Sequence, residues 1–288
     1  MQSVLKQMLA KREIRSLDDK KNAIKETVQE VVLCGLARGG FFKRAAFYGG
    51  TALRIFYGLD RFSEDLDFSL MQADPDFDLS SYFRTIEDEI GALGLGFTVK
   101  TKEKNVDSAI QSAFLKGNTK EHILTFYGAN PELDVVNKAE TIKIKFEVDT
   151  CPPRGAAYDI KFGLLPSPYQ VRLYDVPSLF AGKIHACLCR NWKTRVKGRD
   201  FYDYVFFLSI GAKVNLAHLK ARLVQSEFLK DEEKLTVEGL RSLLNERFAS
   251  MDFEQAKQDV FPFVREKAKL DLWSETFFSE ITKNLQGI

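Results

Sequence analysis

Apolar residues recur every three to four positions through Ile24, Val28, Val31, Val32 and Leu36, predicting an amphipathic helix that follows Asn22 and closes at Gly39-Gly40. Ala45-Ala46-Phe47-Tyr48 then predicts a short buried strand stopping at Gly49-Gly50, with a brief helix over 51–57 that ends at Gly58. The stretch Asp65-Leu66-Asp67-Phe68-Ser69-Leu70 alternates at every step, the period of a half-buried strand. A second strand over 142–150 puts Ile142, Ile144, Phe146 and Val148 on one face and Lys143, Lys145, Glu147 and Asp149 on the other. Cys151-Pro152-Pro153 ends it. A helix over 80–93, weaker strands over 96–102, 108–115 and 121–127, and a short strand near 170–174 complete this half. From Asp175-Val176-Pro177-Ser178 onward the period turns helical, over 177–190, 199–209, 215–226, 236–249, 252–259 and 268–285.

These periods predict an α+β protein in two parts. Residues 1–175 form an α/β domain with a mixed sheet and N-terminal helices, and residues 176–288 form a mostly helical domain. Neither an internal repeat nor a flexible linker is evident, so the two parts are expected to pack closely. The 288 residues, 45% apolar and 28% charged, are ordinary for a globular chain and exclude a fibrous or disordered one. Apolar runs fall well short of the ~20 residues that span a bilayer, so no membrane role is expected. Met1 to Arg15 lacks the apolar stretch of a signal peptide, and a cytoplasmic location is the expectation.

Four cysteines, Cys34, Cys151, Cys187 and Cys189, make no disulfide framework for a chain of this size. His185 and Cys189 would share a helix face, but without a CxxC partner elsewhere buried thiols are expected rather than a metal site. The net charge is only +2. Lys183, Arg190, Lys193, Arg195, Lys197 and Arg199 nevertheless outnumber Asp200 within one segment, which either attracts phosphates or forms a solvated loop between two helices.

The chemistry concentrates in FYGGTALRIFYGLDRFSEDLDFSL, residues 47–70. Gly49-Gly50-Thr51 lies between a strand and a helix, where glycines let the backbone approach a phosphate and the helix start offers free N–H groups. Thr51 either caps that helix or hydrogen-bonds the phosphate. Asp65 and Asp67 follow Gly50 by 15 and 17 residues and project from one face of a strand. Two carboxylates side by side repel unless cations neutralise them, which suits one or two Mg²⁺ ions carrying phosphate oxygens. A third acid is expected from the neighbouring strand, Glu147 being favoured over Asp149. Arg54, Arg61 and Ser63 flank the turn and the acids. Arg54 either reaches the same phosphates or forms a purely structural Arg–Asp pair.

GGTALR at 49–54 and RFSEDLDF at 61–68 resemble the first motif of the AbiEii/AbiGii nucleotidyltransferase toxins, a family that includes the mycobacterial MenT toxins. SLFAGKIHACLCR at 178–190 and RDFYDYVFFL at 199–208 resemble its later motifs, so the likeness spans about 47–208. The resemblance implies a polymerase-β-like nucleotidyltransferase domain followed by a helical domain that completes the NTP cleft. It implies Asp65 and Asp67 as metal ligands, and Gly49, Gly50, Thr51 and Ser63 as phosphate holders. Lys183 and Asp200 match the family's functional Lys and Asp. Lys183 suits a triphosphate as a point cation, and Asp200 can orient an acceptor hydroxyl or take its proton. Asp203 is expected to cap or pair locally. The expected function is Mg²⁺-dependent transfer of a nucleoside monophosphate from an NTP, with tRNA 3′ ends as acceptor and a cognate antitoxin as partner. A protein or small-molecule acceptor, or an NTP-binding regulatory module without turnover, are the alternatives.

Overall fold

The computed structural model describes residues 4–101, 109–127, 136–190 and 196–288. In chain order the elements are α1 (Val4–Ala10), α2 (Leu17–Arg38), β1 (Ala45–Tyr48), α3 (Gly49–Phe56), β2 (Leu66–Leu70), α4 (Phe83–Ala92), β3 (Phe97–Thr101), β4 (Ile110–Asn118), α5 (Thr119–Tyr127) and β5 (Thr141–Asp149). They continue with β6 (Tyr158–Gly163), β7 (Tyr169–Tyr174), α6 (Val176–Cys189), α7 (Gly198–Ser209), β8 (Lys213–Val214), α8 (Leu216–Gln225), α9 (Val237–Ala249), α10 (Phe253–Val260), α11 (Glu275–Thr282) and β9 (Gln286–Gly287). Among the described residues the main sheet runs β3-β4-β5-β2-β1-β7-β6, mixed in direction: β1 and β2 pair antiparallel, while β2–β5 and β1–β7 are parallel. The α+β class expected from the periods is therefore the class observed.

The chain divides into two compact units that exchange segments. One comprises Met1–Thr51, Glu64–Pro152 and Ile160–Leu173; the other comprises Ala52–Ser63, Pro153–Asp159 and Tyr174–Ile288. The first unit holds most of the sheet. Its long helix α2 buries Ala23, Ile24, Val28, Val31, Val32, Leu33 and Leu36, so that a wide apolar stripe faces inward. Phe41 makes edge contacts with Phe68, Phe77 and Tyr82. Each fully buried phenylalanine contributes about 2–3 kcal/mol by leaving water. The second unit is a helical assembly around Phe201, Tyr204, Phe248 and Phe278, all fully buried. There α7 and α10 approach so closely that a Cβ on Gly198 would lie 1.9 Å from the Ala256 carbonyl oxygen. Only glycine fits at that crossing.

Four expectations about elements need correction. The helix expected over 268–285 is only α11, Glu275–Thr282, because Ser274 starts it by accepting the Phe277 N–H at 3.2 Å. Helix α2 starts at Leu17 rather than after Asn22, because Ser16 caps it by accepting the Asp19 N–H at 3.1 Å. Asp18 and Asp19 in its first turn complement the helix dipole, so the polar first turns belong to the helix although the apolar period starts later. The strand expected over 121–127 is part of α5: Asn118 Oδ1 accepts the Glu121 N–H at 3.1 Å and nucleates a helix, and a short apolar run does not itself distinguish the two. Strand β6 was expected nowhere; its apolar side chains face solvent, the reverse of the pattern that signals a half-buried strand. Residues 102 and 108, the ends of two weaker expected strands, lie outside the described residues.

Candidate active site

Strand β1 delivers the chain into the Gly49-Gly50-Thr51 turn, and α3 begins there. Gly49 has φ +83°, and a Cβ at this position would sit 2.6 Å from Asp67 Oδ2. Two independent constraints therefore demand glycine: a left-handed backbone and a carboxylate lying against the space where a side chain would start. Thr51 is fully buried, and its hydroxyl donates to the Asp65 carbonyl oxygen. This bond ties the start of α3 to the residue that leads into β2, fixing the turn against the acidic strand.

Along β2, Leu66, Phe68 and Leu70 are buried, while Asp67, and Asp65 one step before the strand, are half-buried. The parallel partner β5 sets Glu147 directly beside Asp67 and Asp149 beside Ser69. Neighbouring residues in register project to the same face, so Asp67 and Glu147 share one. Glu147 accepts from Ser112 Oγ at 2.8 Å and pairs with Lys145 at 2.6 Å, whereas Asp149 accepts the Cys151 N–H at 2.9 Å and shapes the turn after the strand. Among the described residues no group of three His, Cys, Asp or Glu is gathered to hold a metal. The donors that line this face are nonetheless hard carboxylate oxygens. That set fits Mg²⁺, which characteristically takes one or two protein carboxylates and completes its shell with water and phosphate.

The loop from Gly58 to Ser63 belongs to the second unit and is anchored there at several points. Arg54 donates to the Leu59 carbonyl at 2.9 Å, and the Phe62 N–H donates to the Phe263 carbonyl at 2.8 Å. Asp60 accepts from the Tyr202 hydroxyl and from Lys269, each at 2.7 Å. Ser63 is buried at the end of the loop. Arg61 is 2% exposed and makes a bidentate pair with Asp203, both contacts at 2.6 Å.

Asp203 also meets Lys183 Nζ at 2.7 Å; Lys183 reaches Asp200 at 3.5 Å, and Asp200 pairs with Arg190 at 2.6 Å. Three cations and two carboxylates thus form one continuous cluster across α6, α7 and the 58–63 loop. Burial by itself would raise the Asp203 carboxyl, but Arg61 and Lys183 outweigh it and hold the group below the usual carboxylate range. Burial likewise opposes the charge on Arg61, and Asp203 more than restores it. The expected local role for Asp203 is corrected by these contacts: its partner is distant in sequence, a pairing with no periodic trace along the chain. The structure brings Lys183 and Asp200 together as neighbours.

Of the basic segment, Arg190 faces solvent, and Arg199 lies over the Phe263 ring at 4.3 Å. Lys193 and Arg195 lie outside the described residues. Cys187 is fully buried and its thiol is pushed up, chiefly by burial, as expected for an inert core sulfur. His185 is lowered to about 4 by burial and by Arg222 and Arg190, and its Nε2 lies 3.0 Å from Ser226 Oγ.

The fold is shared with a solved bacterial protein: JHP933 from Helicobacter pylori superposes with a TM-score of 0.51 at 18% identity, over 94% of this chain and 95% of that one. A second structure, of a "putative nucleotidyltransferase from H. pylori", gives a TM-score of 0.49 at 20% identity, over 94% and 97% of the two chains. No curated protein matches the chain. The model of the family described as "Nucleotidyl transferase AbiEii toxin, Type IV TA system" matches residues 31–277, and the chain belongs to that family. It is therefore a nucleotidyltransferase, as the motifs at 49–54 and 61–68 led us to expect. Among the described residues no helix is long and apolar enough to cross a membrane.

Proposed function

We propose that the chain transfers a nucleoside monophosphate from an NTP to the 3′ end of tRNA with Mg²⁺, as the toxin paired with a cognate antitoxin. The observation that carries the nucleotide-handling part is the placement of Asp67, pressed against the space above Gly49 and in register with Glu147. Asp65, Asp67 and Glu147 would hold the metal, Glu147 being preferred to Asp149 because of that register. Bound there, Mg²⁺ would supply neutralisation of the charge that builds on the phosphoryl oxygens.

The chain's own groups account for the remaining work. Backbone N–H groups at Gly49, Gly50 and Thr51 open α3 and suit phosphate oxygens, with Ser63 and Arg54 close by in sequence. Lys183 offers a cation to the triphosphate. Asp200, at the first turn of α7, orients the acceptor hydroxyl and receives its proton as the oxygen attacks the α-phosphorus and pyrophosphate departs. Support for tRNA comes from the likeness to the MenT toxins and from the cations Arg190, Lys197 and Arg199, which suit an RNA backbone.

Incubation of the chain with each labelled NTP, Mg²⁺ and total tRNA tests this directly, with Asp67→Asn as the blank. Label in RNA that disappears with EDTA is the expected result. Label in a protein or small-molecule fraction alone would replace the acceptor, and label insensitive to chelation would remove the metal. Relief of toxicity by the product of a neighbouring gene tests the antitoxin.

A further inference from the structure

Among the described residues β6 ends the sheet, and its outward face is apolar where solvent should favour polar groups. Tyr158, Ile160 and Phe162 are 37%, 48% and 67% exposed, and Leu164 continues the same line at 68%. Alternate residues of one strand share a face, so these side chains form a single stripe along an open edge. A long apolar edge strand is a template for pairing, and proteins normally blunt such edges.

The register with β7 shows which backbone groups lie on that open edge. The Asp175 N–H donates to the Ala157 carbonyl, Tyr158 packs edge-on against Tyr174 at 5.5 Å, and a Cβ on Gly163 would strike the Tyr169 ring. All three describe one antiparallel pairing, in which the odd-numbered residues of β6 bond to β7. The N–H and C=O groups of Tyr158, Ile160 and Phe162 then point away from the sheet.

We propose that β6 pairs antiparallel with β6 of a second copy about a two-fold axis at Ile160. The strand is complementary to itself in that register. Ile160 meets its own copy, Tyr158 meets Phe162, and Asp159 stands opposite Lys161 on the other face, twice over. Shifting by one residue would put Asp159 opposite Phe162 and lose both charge pairs. Lys161, a residue type that usually blocks edge pairing, here selects the register. Asp159 also receives the Tyr57 hydroxyl at 3.3 Å, which holds its carboxylate in place. The shared strip is smaller than a standard interface, so the dimer is weak, with dissociation in the ~1–100 µM range.

Sedimentation velocity of the full chain across that range tests the pairing. The expected result is a monomer–dimer equilibrium that Ile160→Lys weakens ~10-fold or more. Asp159→Lys and Lys161→Glu should each weaken it, and the double variant should recover it. In a Cys151→Ser background, Ile160→Cys should form an intermolecular disulfide, because paired Cα atoms at such a position lie ~5.5 Å apart. Phe162→Cys should not, its copy being ~13 Å away along the strand. A chain that stays monomeric at 100 µM, a dimer indifferent to Ile160→Lys, or cross-linking that prefers position 162 would each overturn the proposal. This readout is independent of nucleotide transfer.

Discussion

Two acidic groups in this molecule occupy opposite environments. Asp65 and Asp67 lie half-buried on a strand, one of them against a glycine, whereas Asp203 is fully buried on a helix and clamped by Arg61 and Lys183. Burying a carboxylate is costly unless cations and hydrogen bonds compensate it, so Asp203 is tied to the fold that supplies its partners. The strand acids are half-buried and owe far less to burial. One carboxylate is bound into the fold by its buried partners, and the others sit where burial contributes less.

The largest test breaks the helical side of that comparison. Asp203→Ala leaves Arg61 buried without its counter-ion and should cost about 3–5 kcal/mol, read as a large drop in Tm or in the urea midpoint. Asp67→Asn should do the reverse: nucleotide transfer falls by ~100-fold or more while the Tm shifts by only a few degrees. If Asp67→Asn unfolded the chain and Asp203→Ala left it stable, the division would fail.

Gly49→Ala lies between these two. A left-handed backbone and the Asp67 carboxylate both resist a side chain there, so a loss of ~1–2 kcal/mol together with reduced transfer is expected. Glu147→Gln should impair transfer more than Asp149→Asn, since only Glu147 is in register with Asp67. Equal effects would remove the preference.

The smallest effect is one of pH. His218 is fully buried; burial leads the causes that lower it to about 4, and its Nδ1 lies 2.9 Å from the Arg154 carbonyl oxygen. A folded value below the unfolded one means that acid protonates the unfolded chain first. The His218 contribution is therefore complete above about pH 6.5 and declines toward pH 4, by about 1 kcal/mol between pH 7 and 5.5, and His185, likewise lowered to about 4, adds a loss in the same window. Asp203 acts in the same sense but in a lower window: its stabilisation persists down to the ordinary carboxylate range and fades as pH falls below it. Urea titrations at pH 7, 5.5 and 3.5 separate the two contributions.

Much of the sheet was legible because half-buried strands alternate with period two, and β1, β2, β5 and β7 fall close to their expected spans. The helices from α6 to α10 were legible for the matching reason, a period of 3.6 with caps at Asp175, Asn215, Thr236 and Asp252. Periodicity failed where another local force acted first. The Asn118 cap turned an ambiguous apolar run into α5, and β6 shows its apolar side to solvent.

By itself, then, the order of residues determined most element types, α5 and β6 excepted, the family, and the glycine turn and aspartate pair at their spacing. These are short-range properties, expressed in chain periodicity and in motifs a few residues long. Only the tertiary structure decided that Glu147 rather than Asp149 stands beside Asp67, and that Arg61 closes on Asp203, 142 positions away. Register and buried ion pairs arise from through-space packing, where a shift of one residue along a strand changes every neighbour and leaves the local pattern unaltered.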